Sequence, residues 1–287
     1  MARSPAHKFG QIIGELVEAA LREPLAEIAA EHGLYLDFKH PRPARGGKRK
    51  VAWRDTKGNE HDLDYVLEAG GSEDVLGRPR AFVEIAWRRY TKHSRNKAQE
   101  IQAAIMPLAE TYSHSHPFLG VVLAGVFTEG SVAQLRSHGF RVLYYPYDTI
   151  TSAFAVAGVD ARFNESTPDA VLGRRIKAYL RLGVPQRHQI VTYLRESHNE
   201  MLTDFLSALR AALKRRVQSV YIIPLHGSPH ELPSVDDAIA FLQRFDESVP
   251  VSRFIRYEVA VRYSNGDEIR GSFENRLEAI LFLKTQS

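Results

Sequence analysis

Apolar residues near the amino terminus recur at the spacing of an amphipathic helix. The pattern predicts a helix from His7 to about His32, with one face buried and the other in solvent. Pro24 lies inside this helix and predicts a kink or a break into two helices, because proline lacks the backbone N–H and its ring clashes with the preceding turn. The apolar face is formed by Ile13, Leu16, Val17, Ala20, Leu21, Leu25 and Ile28.

The next segment has the short apolar runs and turn residues that are typical of strands. Leu34–Phe38 predicts a short edge strand. Lys50–Asp55 and Glu60–Leu67 predict a hairpin that turns at residues 57–59, and Arg80–Trp87 predicts a further strand.

A helix and a buried strand follow. Residues 94 to about 112 have helical spacing, and Leu119–Phe127 is a nearly continuous apolar run, as in strands that are buried on both faces. With Leu34–Phe38 set aside as an edge strand, the order of elements is αβββαβ. A short helix, a second buried strand and another helix would then extend the sheet: Glu129–His138, Arg141–Tyr145 and Thr149–Ala157.

The polar, irregular segment Gly158–Pro168 predicts a domain boundary. Residues 1–160 would form an α/β domain, 161–216 a helical connector, and 217–287 a small α+β interaction domain. The connector would contain two helices, Asp169–Leu182 and Pro185–Arg216.

Turn and cap signals define the carboxy-terminal domain. Ser234 and Asp237 are spaced as a capping box, and Asn265-Gly266 is a strong hairpin turn. The predicted order is βαββα, with elements at Val217–Pro224, Ser234–Phe245, Phe254–Tyr263, Glu268–Phe273 and Asn275–Lys284.

Composition narrows the class of protein. The 287 residues include no cysteine, which excludes disulfides, thiolate metal sites and a cysteine nucleophile and fits a cytoplasmic protein. No apolar run reaches the length of a membrane span, and residues 1–10 have no hydrophobic signal region. The formal net charge of +4 permits nucleic-acid binding without requiring it.

Two acids interrupt apolar strand sequences. Asp64 lies in the predicted strand Glu60–Leu67, and Glu84 lies in Arg80–Trp87. A charged side chain among apolar neighbours is costly unless it is paired. Two carboxylates on neighbouring strand ends can bind Mg²⁺, and a nearby lysine could orient a water molecule or stabilise negative charge. Alternatively, each acid ends its strand in solvent or pairs with an arginine, and Asp62 could replace Asp64 as the ligand.

These features resemble the PD-(D/E)XK nuclease superfamily over about the first 150 residues. The family's first acid falls on Asp64, in Leu63-Asp64-Tyr65-Val66, and its second on Glu84. The family's lysine would fall on position 86, where this chain has Ala86. The resemblance implies a restriction endonuclease-like αβββαβ core with a mixed sheet. It also implies Mg²⁺- or Mn²⁺-dependent hydrolysis of phosphodiester bonds in double-stranded DNA.

The resemblance also suggests where the remaining site residues lie. In some members the following helix supplies the lysine, which would make Lys97 the substitute, with Lys92 as a weaker one. Lys97 precedes Ile101 and Ile105 at helical spacing, so it is predicted to lie on the face that covers the sheet; the alternative is an ordinary first-turn lysine that reaches solvent. The family often adds a glutamate from the helix before the sheet, for which Glu18 is the candidate; the alternative for Glu18 is a solvated charge at the edge of the apolar face.

Basic residues cluster on both sides of the acids in sequence. A Pro/Gly-containing loop over residues 39–50 is predicted to be mobile and to contact the DNA phosphate backbone; the alternative is a solvated loop of no special role. A second cluster directly follows Glu84. The predicted backbone contacts are Arg42, Arg45, Lys48, Arg49, Lys50, Arg88, Arg89 and Lys92.

Three functional hypotheses remain open at this point. The first is a restriction-like DNA endonuclease, which would form a homodimer by analogy with enzymes that cut both strands. The second is a catalytically inactive DNA-binding or scaffold protein of the same fold, in which Ala86 marks a lost lysine. The third is a nuclease directed at RNA.

Overall fold

The structure is a computed structural model that describes residues 4–91, 94–224, 229–248 and 254–286. The chain divides into two compact units. One comprises Met1–Thr111 and Pro117–Arg210, and the other comprises Tyr112–His116 and Ala211–Ser287. Most of the segment that the sequence suggested as a connector, residues 161–216, therefore belongs to the first unit.

The first unit is built on a mixed five-stranded sheet. The sheet has the order β1-β4-β5-β6-β7, with antiparallel pairing from β1 to β5 and parallel pairing from β5 to β7. Strands β2 and β3 pair separately as a two-stranded hairpin. The strands are β1 (Leu34–Phe38), β2 (Val51–Arg54), β3 (Glu60–Leu63), β4 (Tyr65–Ala69), β5 (Arg78–Arg88), β6 (Phe118–Gly125) and β7 (Arg141–Pro146).

The strand Leu34–Phe38 is confirmed as an edge strand, because it pairs with β4 along its whole length at one end of the main sheet. The predicted order of core strands differs in another respect, since the first strand of the predicted hairpin lies outside that sheet. The predicted single strand Glu60–Leu67 is interrupted at Asp64, where the chain bends and leaves the hairpin for the sheet.

Helices cover both faces of this sheet. α1 packs against β1, β5, α5 and α6, while α2 packs against α3, β3 and β5. The helices of the first unit, the last of which runs into the second, are α1 (Pro5–Glu31), α2 (Ser94–Thr111), α3 (Glu129–Ser137), α4 (Tyr147–Ala155), α5 (Asp169–Leu180), α6 (Val184–Ser197) and α7 (Asn199–Lys214).

α1 is one continuous helix. The Ser4 side chain accepts a hydrogen bond from the His7 N–H at 3.3 Å, and Pro5 occupies the first turn, where a missing N–H costs nothing. The helix continues through Pro24, so the predicted break is absent. Its fully buried side chains include Phe9 and Leu21, and each contributes about 1.5–3 kcal/mol by leaving water.

The long helix predicted at Pro185–Arg216 is instead two helices, α6 and α7. They are separated at His198, whose backbone leaves the helical region with φ −131°. The His198 Nε2 atom lies 2.7 Å from the Thr149 hydroxyl oxygen, so the ring is held against α4. A contact between residues this far apart in sequence cannot be predicted from helical spacing.

Within its described residues, the second unit has an antiparallel sheet with the order β11-β10-β8-β9 and two helices. The predicted strand, helix, hairpin and closing helix are all present, and Gly266 adopts the positive φ of 88° that its turn requires. The three-residue strand β9 was not predicted. The elements are β8 (Val217–Pro224), β9 (His230–Leu232), α8 (Val235–Arg244), β10 (Tyr257–Tyr263), β11 (Glu268–Phe273) and α9 (Arg276–Lys284).

The second unit has a hydrophobic core of its own. Val220, Leu242, Tyr257 and Phe282 are among its buried members. In neither unit does a described helix have the length and apolar character needed to cross a membrane.

Candidate functional site

Asp64 and Glu84 lie side by side across two strands. In the antiparallel pair β4–β5, Tyr65 faces Val83, and extending this register by one residue places Asp64 beside Glu84. The Asp64 Oδ2 atom accepts a hydrogen bond from the Ile85 N–H at 2.6 Å. The bend at Asp64 therefore leaves its carboxylate attached to the strand that carries Glu84.

Lys97 lies beside Glu84. Its Nζ atom is 3.5 Å from Glu84 Oε1 and 3.6 Å from Glu100 Oε2, and the two side chains of the Lys97–Glu84 pair are only 18% and 14% exposed. Ala98, Ile101 and Ile105 on the same helix are buried. The first turn of α2 therefore directs Lys97 over the sheet, on the face that the helical spacing predicted.

Ala86 is the residue on which the resemblance inferred from the sequence would place a lysine. It lies on the same face of β5 as Glu84, two residues further along, and pairs with Leu123 of β6. The side chain is 2% exposed. This position is closed and apolar in the present chain, so the cation next to Glu84 comes from α2 instead.

Glu18 adds a third carboxyl group from α1. The Tyr65 hydroxyl donates a hydrogen bond to the Glu18 carbonyl oxygen at 2.8 Å, which holds this turn of α1 against β4. Burial, followed by the negative charge of Asp64, raises the pKa of the Glu18 carboxyl to about 7. Glu18 thus lies close enough to sense the charge of the acid pair.

The acid pair is short of compensating positive charge. Burial and then repulsion by Asp64 raise the pKa of Glu84 to about 8, although Lys97 opposes this shift. Burial also raises the pKa of Asp64, against the hydrogen bond from Ile85. Lys97 and, for Asp64, also Lys39 only partly offset these rises in pKa, and a bound cation would add positive charge that favours the ionised carboxylates.

The donor atoms suit a hard divalent cation. Asp64 Oδ1 and Glu84 Oε2 take part in none of the hydrogen bonds or ion pairs within the described part of the chain. Mg²⁺ keeps several waters and uses one or two protein carboxylates, so this pair fits the ion. Among the described residues, no three His, Asp or Glu side chains converge as a complete ligand set.

Arg42 and Arg45 are not available to contact DNA, and this prediction is wrong. The Arg42 side chain is 0% exposed, and its Nη1 atom lies 2.6 Å from Glu68 Oε1 and 2.9 Å from Asp37 Oδ2. Arg45 donates to the His40 carbonyl oxygen at 2.9 Å and lies 3.2 Å from the same Asp37. Both arginines neutralise buried acids of the sheet and attach their loop to it.

Most of the other residues that were predicted to contact the DNA backbone contact other groups of the protein instead. Lys48 is 3.7 Å from Glu60, and Lys50 forms an ion pair with Asp62, both on the surface. Arg88 is 3.3 Å from Glu100. Arg89 lies over the Tyr147 ring at 3.9 Å and donates to the Phe163 carbonyl oxygen, so it packs within the first unit. Arg49 is exposed, and Lys92 lies outside the described residues.

One basic residue near the site was predicted only as part of the loop over residues 39–50, and not as a site residue of its own. Lys39 follows β1 directly, and extending the β1–β4 register beyond the Phe38–Tyr65 pair places Lys39 beside Asp64. The available signal was its position at the end of the strand Leu34–Phe38. That signal becomes useful only once β1 is known to pair with β4.

Comparisons with known proteins leave the function to be inferred from the site. No family model matches the chain, and no curated protein matches it. Among solved structures, the chain is similar to the crystal structure of a protein of unknown function, AF1548. The TM-score is 0.27 and the identity 11%, over 64% of this chain and 95% of that one.

Proposed function

We propose that this protein is a metal-dependent endonuclease that hydrolyses phosphodiester bonds in double-stranded DNA. The observation that supports the proposal is the placement of Asp64 beside Glu84, with Lys97 Nζ 3.5 Å from the Glu84 carboxylate. The proposal includes a restriction endonuclease-like core within the mixed sheet of the first unit. These side chains, and not the fold, support the proposal, because a fold alone does not specify a function.

In this proposal Asp64 and Glu84 hold Mg²⁺ or Mn²⁺, and Lys97 lies next to the reacting phosphate. When bound, the cation supplies Lewis-acid chemistry toward a phosphodiester and activates water. The Lys97 ammonium group stabilises negative charge that develops on a phosphate oxygen, and it does so from a partly buried position where such a charge is effective. The Ile85 N–H keeps the Asp64 carboxylate oriented toward Glu84.

Glu18 has a supporting role in the same proposal. Its carboxyl has a pKa of about 7, raised by burial and by Asp64, so it can take up or release a proton near neutral pH. Two copies of the chain would be needed to cut both strands symmetrically, and the proposal therefore includes a homodimer.

Ala86 favours a second function, that of a DNA-binding protein with the same fold and no cleavage activity. The buried methyl group at this position leaves the strand without its lysine. In this case Lys97 only neutralises Glu84. The two functions differ in one measurable property, which is turnover in the presence of metal.

Cleavage assays with a matched pair of variants test the proposal. Labelled duplex DNA, single-stranded DNA and RNA are incubated with the protein in Mg²⁺, Mn²⁺ or EDTA. Glu84→Gln is compared with Glu100→Gln, because both remove a carboxylate that contacts Lys97 but Glu100 is exposed on α2. Metal-dependent cleavage of duplex DNA that is lost only in Glu84→Gln supports the nuclease. Binding without cleavage supports the second function, and cleavage of RNA alone would replace the proposed substrate.

A further inference from the structure

Lys39, Asp64 and Glu84 form a row across three neighbouring strands. The pairs Phe38–Tyr65 and Tyr65–Val83 define the registers of β1 with β4 and of β4 with β5. One step further along, the same registers align Lys39 with Asp64 and Asp64 with Glu84. The row thus runs from a basic residue at the sheet's outer strand to the acid pair in its interior.

Arg22 brings a second positive charge to the Lys39 end of this row. Its guanidinium carbon lies 3.9 Å from the centre of the Phe38 ring, and Phe38 directly precedes Lys39. Arg22 is also four residues after Glu18 on α1, so the two side chains occupy the same face of the helix. Stacking on an aromatic ring orients the guanidinium group while its N–H donors stay available.

Lys39 and Arg22 differ from several of the basic residues that were predicted to contact DNA. Both are exposed, and neither side chain makes a hydrogen bond or ion pair within the described ranges. By contrast, Arg42 and Arg45 are buried with acids, and Arg88 contacts Glu100. Lys39, directly after β1, and Arg22, on α1, therefore supply positive charge beside the acid pair that is free to meet a ligand.

We propose that Lys39 and Arg22 bind the phosphate backbone of a nucleic acid and hold it against Asp64 and Glu84. The inference deepens the proposed nuclease function and rests on it for the position of the reacting phosphate. Lysine and arginine fix the position of a nucleic-acid backbone without reading its sequence. Lys97 on α2 and the Lys39–Arg22 pair then provide positive charge at two positions around the acids.

The electrostatics agree with this placement. Lys39 and Arg22 both act to lower the pKa of Glu18, against the dominant effect of burial, and Lys39 acts in the same direction on Asp64. The charges of the two basic side chains therefore reach the carboxyl groups of the site. A phosphate bound there would be attracted by the same charges that now act on the acids.

Binding measurements on full-length protein test the inference separately from cleavage. Fluorescence anisotropy is measured with a short fluorescein-labelled DNA duplex in Ca²⁺ and in EDTA, over a series of salt concentrations. Lys39→Gln and Arg22→Gln are each expected to weaken binding on the order of tenfold and to reduce the salt slope by about one. Lys39→Arg is expected to restore both. Lys57→Gln, at the exposed turn of the β2–β3 hairpin, is the matched control and is expected to change neither.

The salt slope distinguishes a phosphate contact from a structural role. A variant that only loosened the fold would lower its melting temperature and leave the slope of binding unchanged. The inference is overturned if the slopes of Lys39→Gln and Arg22→Gln equal that of the wild type. It is also overturned if Lys48→Gln weakens binding as much as they do, or if the protein binds neither the duplex nor single-stranded DNA or RNA of the same length. Binding that depends on Lys39 and Arg22, without cleavage under any metal, would refute the nuclease and leave this inference standing.

Discussion

At the scale of single residues, the small number of positive charges near the carboxyl groups of the site governs their protonation. Asp64 is held by a backbone N–H and Glu84 by Lys97, and Glu18 senses Asp64 from another element. Each of these residues is ordinary in the sequence. Their protonation is set by burial and by one another, so substitutions at this site are expected to change charge balance as well as chemistry.

Lys97→Met is expected to reduce metal-dependent cleavage by about a hundredfold or more, because it removes the charge beside Glu84 and retains the length of the side chain. Single-turnover cleavage of labelled duplex DNA measures the loss. Lys57→Met serves as the control, since it removes an exposed lysine at the turn of the β2–β3 hairpin. Cleavage by Lys97→Met at the wild-type rate would show that Lys97 only neutralises Glu84.

Glu84→Gln is expected to change how stability depends on pH. The pKa of Glu84 is raised by burial and by Asp64 from 4.5 in the unfolded chain to about 8 in the fold. Between these values the folded state binds more protons than the unfolded state, so stability falls as the pH rises. In the absence of metal, Glu84→Gln should be more stable than the wild type at pH 8 by about 1–3 kcal/mol and should lose this advantage near pH 5.

Urea denaturation of both proteins in EDTA, at pH 5 and at pH 8, measures this difference. Glu100→Gln is the control because Glu100 is largely exposed. Mg²⁺ added at pH 8 should stabilise the wild type more than Glu84→Gln, because a ligand that binds the folded state stabilises it. A wild-type stability that is the same at both pH values would contradict the assigned environment of Glu84.

At the scale of secondary-structure elements, the loop after β1 is attached to the sheet by buried charge. Arg42 Nη1 contacts both Glu68 and Asp37, and its Nη2 atom donates to the Val75 carbonyl oxygen at 2.8 Å. The Gly77 N–H also donates to Glu68 at 2.7 Å. These bonds hold two connecting segments, residues 39–50 and 70–77, against the ends of β1 and β4.

Arg42→Met is expected to destabilise the first unit by about 3–5 kcal/mol, because it leaves two buried carboxylates with less compensation. The free energy of unfolding in urea measures the effect. Arg49→Met, in the same loop but exposed, should change it by less than about 0.5 kcal/mol. Equal effects from the two variants would contradict the buried network.

Local periodicity explains which elements could be predicted. The apolar run of β6 and the apolar face of α2 required no knowledge of partners, and the position of Lys97 over the sheet followed from Ile101 and Ile105 on the same helix. Asp64 and Glu84 could be placed together because their strands follow one another closely in the chain.

Partners that are distant in sequence explain the errors. The strand β1 pairs with β4 across an intervening hairpin, so neither its pairing partner nor the alignment of Lys39 with Asp64 can be seen in a local pattern. Arg42 has the sequence context of a solvated loop, and only its partner Glu68, 26 residues later, makes it a core residue. Several basic residues were therefore predicted to contact DNA, although in the structure they neutralise acids of the same protein.

At the scale of the whole molecule, the candidate site belongs to one of two compact units. Glu18, Asp64, Glu84 and Lys97 all fall in the first unit, as do Lys39 and Arg22. The second unit has its own antiparallel sheet and its own hydrophobic core. Neither the proposed chemistry nor the proposed phosphate contacts use a residue of the second unit.

A chain that ends after Lys214 is therefore expected to retain metal-dependent cleavage and wild-type affinity for duplex DNA. This shortened chain keeps α7 intact. It also keeps Tyr112–His116, a short segment grouped with the second unit, because that segment links α2 to β6. Circular dichroism establishes whether the shortened chain is folded, and cleavage and anisotropy are compared with those of the full chain. If the shortened chain is folded but only the full-length protein cleaves DNA, the second unit contributes to the site. Light scattering on both chains then shows which unit carries the proposed homodimer contact, because a dimer that is lost on truncation without loss of cleavage would separate assembly from catalysis.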